Sequence, residues 1–160
     1  MKKSFAFIFV LIISGIMGFS ADAQWRYFHE DADELKGTKA YDVSAFMSSN
    51  GDALFIYSNM NNVSISADRG IFDYDDNGCV SVLVGFYDGK TLVEKCLTKF
   101  RVTQQGDGAF TADYLEEGLG KKIIKHLKTK GNVRIIASKY SGSDFDITIP
   151  KNPNIKTSIL

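Results

Sequence analysis

Short stretches of alternating apolar and polar residues follow one another along most of the chain after residue 23. Residues 25–29 form the first predicted strand, and in 41–47 every second side chain shares one face, which is typical of a half-buried strand. The continuously apolar run Ala53–Tyr57 predicts a central strand buried on both faces. Polar turn residues follow it, and the alternation resumes at 63–67.

The clearest element in the pattern is a β-hairpin over residues 79–100. Apolar residues at every second position from Val80 to Phe86 share one face of its first arm. Asp88-Gly89 is the expected turn, because glycine tolerates the positive φ of a tight hairpin. In the second arm, Val93 and Leu97 are expected to return on the same apolar face.

A helical pattern interrupts the strands after Asp113. Apolar residues at 115, 119, 123, 124 and 127 form a stripe along one helix face. Gly118 and Gly120 weaken the first turns, so the regular helix is expected to start near Leu119. Gly131 is a natural stop.

Two further strands, at 133–138 and 145–149, complete the pattern, and 151–160 is expected to be a loose tail. The chain is therefore predicted to be mainly β. We expect an antiparallel β-sandwich or partly open barrel of about eight strands, with one helix before the last two strands.

The first 23 residues have the pattern of an export signal. Lys2 and Lys3 precede the uncharged, almost wholly apolar run 5–19, and Ala21-Asp22-Ala23 supplies a small-x-small cleavage motif. The run is shorter than the roughly 20 residues of a stable membrane-spanning helix. We therefore expect an extracytoplasmic protein, periplasmic or secreted, cleaved near Ala23. It would comprise one β-rich domain over 24–150, with no membrane span in the mature chain.

Charge narrows the range of partners. The chain holds 19 basic and 19 acidic residues, so it has no excess positive charge with which to bind nucleic acid or an anionic membrane. A protein or another component of the cell envelope is the expected partner.

The two cysteines, Cys79 and Cys96, lie in the two arms of the hairpin. A turn at Asp88-Gly89 makes them diagonal neighbours on one face, and a bulge on each side or a four-residue loop would place them directly opposite. Either arrangement is close to the Cα spacing of a disulfide, which is the first interpretation of a lone cysteine pair in an oxidising compartment. We therefore predict a Cys79–Cys96 disulfide, with two free thiols on a sheet surface as the alternative.

Four features of the chain occur in a common order, which also suggests a family. They are an opening Trp25, the central strand Ala53–Tyr57, the hairpin strand ending in Asp88-Gly89, and a helix followed by two strands that close on Phe145-Asp146-Ile147. This order resembles a domain of bacterial periplasmic accessory proteins of type VI secretion, of the VasI/TagO type. Tyr57-Ser58 stands where that family has Arg-Cys. The resemblance implies a β-rich exported accessory domain over 25–149 and transfers no catalytic residue.

The best local motif for metal binding is the segment 73–78. Asp73, Asp75 and Asn77 match the spacing of the first half of a calcium loop, and Gly78 permits its sharp turn. Position twelve of such a loop is Val84 rather than the usual bidentate glutamate, and no helix flanks the motif. A solvated turn is the alternative, since Asp, Asn and Gly are common turn residues.

Catalytic signals are sparse. No Gly-x-Ser-x-Gly motif and no phosphate-binding glycine loop is present. His29 precedes several acids and suggests a metal cluster, while His126 is expected on the exposed face of the helix. Glu94, on the same strand face as Cys96, is a candidate member of a carboxylate pair.

Three function classes remain after this survey. The first is an exported, non-catalytic binding or accessory domain, which binds through a sheet edge or the segment 73–78. The second is a small extracytoplasmic hydrolase with a carboxylate pair, and the third is a barrel that binds an apolar ligand. Converging acids with perturbed pKa values favour the hydrolase, an empty apolar interior favours the ligand carrier, and a filled core with an exposed aromatic patch favours the binding domain.

Overall fold

A computed structural model describes residues 23–157. Residues 1–22, which carry most of the predicted export signal, lie outside the described residues. The strands are β1 (Gln24–Glu30), β2 (Tyr41–Met47), β3 (Ala53–Tyr57), β4 (Val63–Ser66), β5 (Cys79–Asp88), β6 (Thr91–Val102), β7 (Gly108–Phe110), β8 (Val133–Ala137) and β9 (Phe145–Ile149). One helix, α1 (Leu119–Thr129), lies between β7 and β8 and begins at the predicted residue. Between residues 23 and 157, no helix is long and apolar enough to cross a membrane.

The nine strands form a single antiparallel sheet in the order β1-β2-β3-β4-β7-β6-β5-β8-β9, and the sheet curls into a half-barrel. The prediction of a mainly β fold with one helix before the last two strands is confirmed, and the partly open barrel is the form observed. The strand missing from the prediction is β7. It pairs with both β4 and β6, and so joins two groups of strands into one sheet.

The inner face of the half-barrel packs against α1. Ile123, Ile124 and Leu127 of the helix are fully buried in one core with the inward side chains of most strands. His126 is also buried, which corrects its predicted position on the exposed helix face. Its Nε2 lies 2.9 Å from the carbonyl oxygen of Tyr87, and its ring meets Phe86 edge-on. Because a carbonyl only accepts, Nε2 is the protonated nitrogen.

Strand β3 is buried on both faces, as its continuous apolar run predicts. Leu54 and Ile56 belong to the inner core. On the opposite face of the sheet lies a second group of buried side chains, here called the outer cluster, flanked by half-buried Phe28, Tyr41 and Met47. Its members are Val43, Ala45, Ala53, Phe55 and Tyr57.

The hairpin of β5 and β6 closes in a different register from the predicted one. Asp88 pairs with Thr91, so its turn residues are Gly89 and Lys90. A further shift occurs between Phe86 and Tyr87. A one-residue slip of register transfers every side chain to the other face of a sheet. Consequently Leu97 lies on the outer face, where it is 77 % exposed, and its predicted inward position is wrong.

The C-terminal segment packs on the domain as far as residue 157, which corrects the expectation of a loose tail over 151–160 for its described part; residues 158–160 lie outside the described residues. Residues 150–157, here called the closing segment, run from the end of β9 back to β1 and β2. The carbonyl of Pro150 accepts from the Trp25 indole at 3.3 Å, and the Asn152 amide donates to the Tyr27 hydroxyl at 2.6 Å. Ile155 is only 2 % exposed and belongs to the inner core.

The burial of Ile155 gives a direct test of this closure. An Ile155→Ala variant should lower the free energy of unfolding by about 2–4 kcal/mol, because it deletes buried methyl groups and leaves a cavity. The adjacent Asn154→Ala change, at an exposed side chain, should be nearly neutral. Urea unfolding followed by circular dichroism measures both variants. Equal stability of Ile155→Ala and the parent chain would show that the segment is loose.

Candidate binding surface

The two cysteines are far apart, so the predicted Cys79–Cys96 disulfide is wrong. Cys96 pairs with Val84, whereas Cys79 pairs with Arg101. Cys79 and Val84, the residue opposite Cys96, are five residues apart along β5, which corresponds to about 16 Å. This distance is well beyond the roughly 7 Å limit for Cα atoms joined by a disulfide. The odd spacing also places them on opposite faces of the sheet. Both thiols are free.

The segment 73–78, the candidate calcium loop, forms a turn that is closed by protein donors. One carboxylate oxygen of Asp75 accepts from the backbone amides of Asn77 and Cys79, at 2.9 and 3.1 Å. The other oxygen accepts from the Lys99 ammonium at 2.6 Å. This hydrogen bond from Lys99 is the main cause that holds the pKa of Asp75 below its ordinary value. The Arg101 guanidinium in turn donates to the carbonyl of Asn77.

Calcium would therefore have to compete with Lys99 for Asp75. Within residues 23–157, no group of three or more histidine, cysteine, aspartate or glutamate side chains is placed to hold a metal ion. The structure does not bring the side chains of Asp73, Asp75 and Asn77 together with another acidic ligand. A calcium site at these three residues stays a hypothesis from the sequence.

Tyr74 of this segment forms part of an exposed apolar surface, here called the tyrosine surface, which consists of Ile71, Tyr74 and Tyr140. Tyr74 is 41 % exposed and Tyr140 is 60 % exposed. Their rings meet edge-on, with centroids 5.8 Å apart and an interplanar angle of 79°. Such edge-to-face packing is favoured by the ring quadrupoles. The Tyr140 hydroxyl donates to the carbonyl of Tyr74 at 3.2 Å, which fixes one ring over the other.

Backbone contacts hold the tyrosine surface in place. The amide of Tyr140 donates to the carbonyl of Ile71, and the amide of Phe72 donates to the carbonyl of Gly106. Phe72 is fully buried, and its ring packs against Phe145 in the core, so it holds the adjacent Ile71 of the tyrosine surface in position. Gly106 has a φ of +80°, and a Cβ there would lie 2.4 Å from Ile71 Cγ2. Glycine is therefore required where this loop passes beneath Ile71.

The charged groups that border the tyrosine surface have mixed signs. The Lys99–Asp75 ion pair lies at the end of the segment beyond Tyr74. On the other side, the Lys139 ammonium donates to the carbonyl of Arg69 at 3.1 Å. An apolar centre bordered by charges of both signs is the usual composition of a protein-binding patch.

The histidine and glutamate candidates lie elsewhere and do not form a catalytic group. His29 Nδ1 is 2.8 Å from Asp42, and its Nε2 is 3.5 Å from Asp31. The hydrogen bond to Asp42 is the main cause that raises the pKa of His29. Asp33 is separate from this group and pairs with Lys36. His29 is thus a surface histidine between two carboxylates rather than the centre of a metal cluster.

Glu94 faces an open groove of about 330 Å³ between the hairpin and α1. It forms an ion pair with Lys122, whose ammonium lies 5.2 Å from the centre of the Phe86 ring. Lys125 and Lys130 also line the groove. Among the residues that line the groove Glu94 is the one carboxylate, so this lining does not itself provide the acid pair that hydrolysis of this type requires.

No protein-family model, curated protein or solved structure matches this chain.

Both thiols should react when the chain is unfolded. Purified protein, denatured without reductant, should take up a maleimide at Cys79 and at Cys96. In the folded state the reaction should be slow, because Cys79 is 4 % exposed and burial raises the pKa of the Cys96 thiol. Mass spectrometry counts the adducts. A denatured chain without any adduct would restore the disulfide.

Calcium should leave the melting temperature unchanged, because the ion would have to displace Lys99 from Asp75. Thermal unfolding of residues 24–160 with and without millimolar calcium chloride makes the measurement, with magnesium chloride as the matched salt. A ligand that binds only the folded state raises the melting temperature. A calcium-specific rise that disappears in Asp75→Asn would instead establish the site.

Proposed function

We propose that this chain is an exported, non-catalytic binding or accessory domain of the bacterial cell envelope. It binds a protein or another envelope component through the tyrosine surface. The observation that carries the proposal is the presence of exposed, firmly held aromatic rings on a domain whose interior is filled by core side chains. The export signal predicted for residues 1–23 and the order of elements that resembles type VI secretion accessory domains support the envelope location.

Tyrosine suits such a role for a physical reason. Its ring buries a large area for the loss of only two torsional freedoms, so tyrosines are enriched among residues that dominate binding energy. Tyr74 and Tyr140 are already fixed by their mutual contact and by the 3.2 Å hydrogen bond. A surface that is rigid before binding loses less entropy on binding.

The two alternative functions have weaker support. The space between the sheet and α1 is occupied by large buried side chains, which leaves less reason to propose an apolar ligand there. Among the fully buried ones are Phe72, Phe86, Phe100 and Phe145. In the described part of the chain, the carboxyl groups with a shifted pKa, Asp33, Asp75 and Asp146, are all shifted downwards by cationic partners. A carboxyl group that acts as a general acid near neutral pH needs a raised pKa instead.

A cross-linking experiment in intact cells tests the proposal. A C-terminally tagged chain is recovered after cross-linking, and its N-terminus is determined by mass spectrometry, with Gln24 expected. The cross-linked partner is identified, purified and titrated against the domain. A Tyr74→Ser/Tyr140→Ser variant should bind this partner about 10–100-fold more weakly.

Two matched variants complete the design. Tyr114→Ser removes another exposed tyrosine outside the tyrosine surface, and Leu97→Ser removes the exposed leucine of β6. Both should bind like the parent chain, and thermal melts should show that all variants are folded. Undiminished binding by the double tyrosine variant would contradict the proposed surface. Loss of binding in Leu97→Ser alone would move the surface to the hairpin.

A further inference from the structure

The groove between the β5–β6 hairpin and α1 shares no residue with the tyrosine surface and has a different chemistry. Lys122 and Lys125 of α1 line it, together with Lys130 just after the helix, while Glu94 of β6 supplies its one carboxylate. Its volume of about 330 Å³ lies at the lower end of the range for small-molecule sites. The groove therefore concentrates positive charge in a chain that is neutral overall.

Two of the three ammonium groups are available to a ligand. Lys122 forms the ion pair with Glu94. Among the ion pairs formed within residues 23–157, none includes Lys125 or Lys130, and both of these side chains are exposed. Like charges in one groove repel one another, and a bound anion would offset this repulsion. The balance of charge therefore points to an anionic ligand.

A β-bulge places an apolar side chain beside these lysines. Phe86 pairs with Glu94 and Tyr87 pairs with Leu92, so the register leaves Val93 without a partner residue in β5. A bulge of this kind redirects a side chain. Val93 is 57 % exposed and lines the groove. It offers a contact to an apolar body that is attached to the anionic group.

Fixed contacts hold the two walls of the groove in position. The Tyr87 amide donates to the carbonyl of Asn132, and the Tyr87 carbonyl accepts from His126 Nε2, both at 2.9 Å. Gly131 lies so close to the hairpin that a Cβ there would overlap the carbonyl oxygen of Tyr87. The rings of Phe86 and His126, which also line the groove, have centroids 5.1 Å apart. A groove that is formed before binding loses less entropy on binding.

We propose that this groove binds a small organic carboxylate that carries an apolar body. Lys125 and Lys130 bind the carboxylate, Val93 contacts the apolar body, and Glu94 lowers the affinity by engaging Lys122. The groove extends to the C-terminal end of α1, where the helix dipole is negative. A singly charged carboxylate is therefore favoured over a doubly charged phosphate.

An NMR titration of the full chain with octanoate tests the proposal. The backbone amide signals of Val93, Lys125 and Lys130 should shift and saturate. A Lys125→Gln/Lys130→Gln variant should bind octanoate about 5–10-fold more weakly, because two charge contacts are lost. The matched Lys121→Gln/Lys128→Gln variant removes the same charge from the same helix outside the groove lining, and it should bind like the parent chain.

A Glu94→Gln variant should bind octanoate about threefold more tightly, since it releases Lys122 and removes the negative charge of the groove. Acetate, inorganic phosphate and octyltrimethylammonium should bind more weakly than octanoate, because the first two lack an apolar body and the third has the opposite charge. Thermal melts should show that all variants are folded.

Three outcomes would overturn the proposal. Equal binding of octanoate and octyltrimethylammonium would show that apolar contact alone is responsible. Equal weakening by the two lysine pairs would show a general effect of net charge, and equal or weaker binding by Glu94→Gln would contradict the assigned role of its ion pair. None of these measurements involves the tyrosine surface or a protein partner, so their outcome is distinguishable from a failure of the proposed function.

Discussion

Closure of the sheet at its two ends is the constraint on which the rest of this domain depends. Strands β1 and β9 are the last strands on either side, and the closing segment joins them through Trp25, Tyr27 and Ser44. The amide of Asn152 also donates to the carbonyl of Leu127, which ties the segment to α1. A curled antiparallel sheet encloses its core only when something spans the gap between its edge strands. Here eight residues after the last strand do so.

This closure also determines how the proposed binding surface is built. Because α1 and the closing segment occupy the inner face, the interior is a packed core. The tyrosine surface lies on the rim, where the segment before β5 meets the loop after β8. Its rigidity comes from the core, since Phe72 is buried directly beside the exposed Ile71. The tyrosine surface and the core are thus built in part by neighbouring residues of one segment.

Most strands and the helix could be predicted because each has a period of its own, of 2 or of 3.6 residues. Strand β7 could not be predicted, because three residues are too few to show a period. This short strand nevertheless joins the two groups of strands into one sheet. The register of the β5–β6 hairpin could not be predicted either, because the alternation of apolar and polar residues does not reveal the shift between Phe86 and Tyr87. The turn at Gly89-Lys90 separates Cys79 from Cys96 along the hairpin, and the shift places them on opposite faces of the sheet. Tyr74 and Tyr140 are 66 positions apart, and only the tertiary fold brings them together.

Strand β3 links the two faces of the domain. A run of five apolar residues is stable in a sheet only if both faces are shielded from water, and α1 shields one of them. Leu54 and Ile56 belong to the inner core, and Phe55 and Tyr57 belong to the outer cluster. The continuous apolar run that predicts a strand buried on both faces therefore reflects two separate groups of packed side chains, one on each side of the sheet.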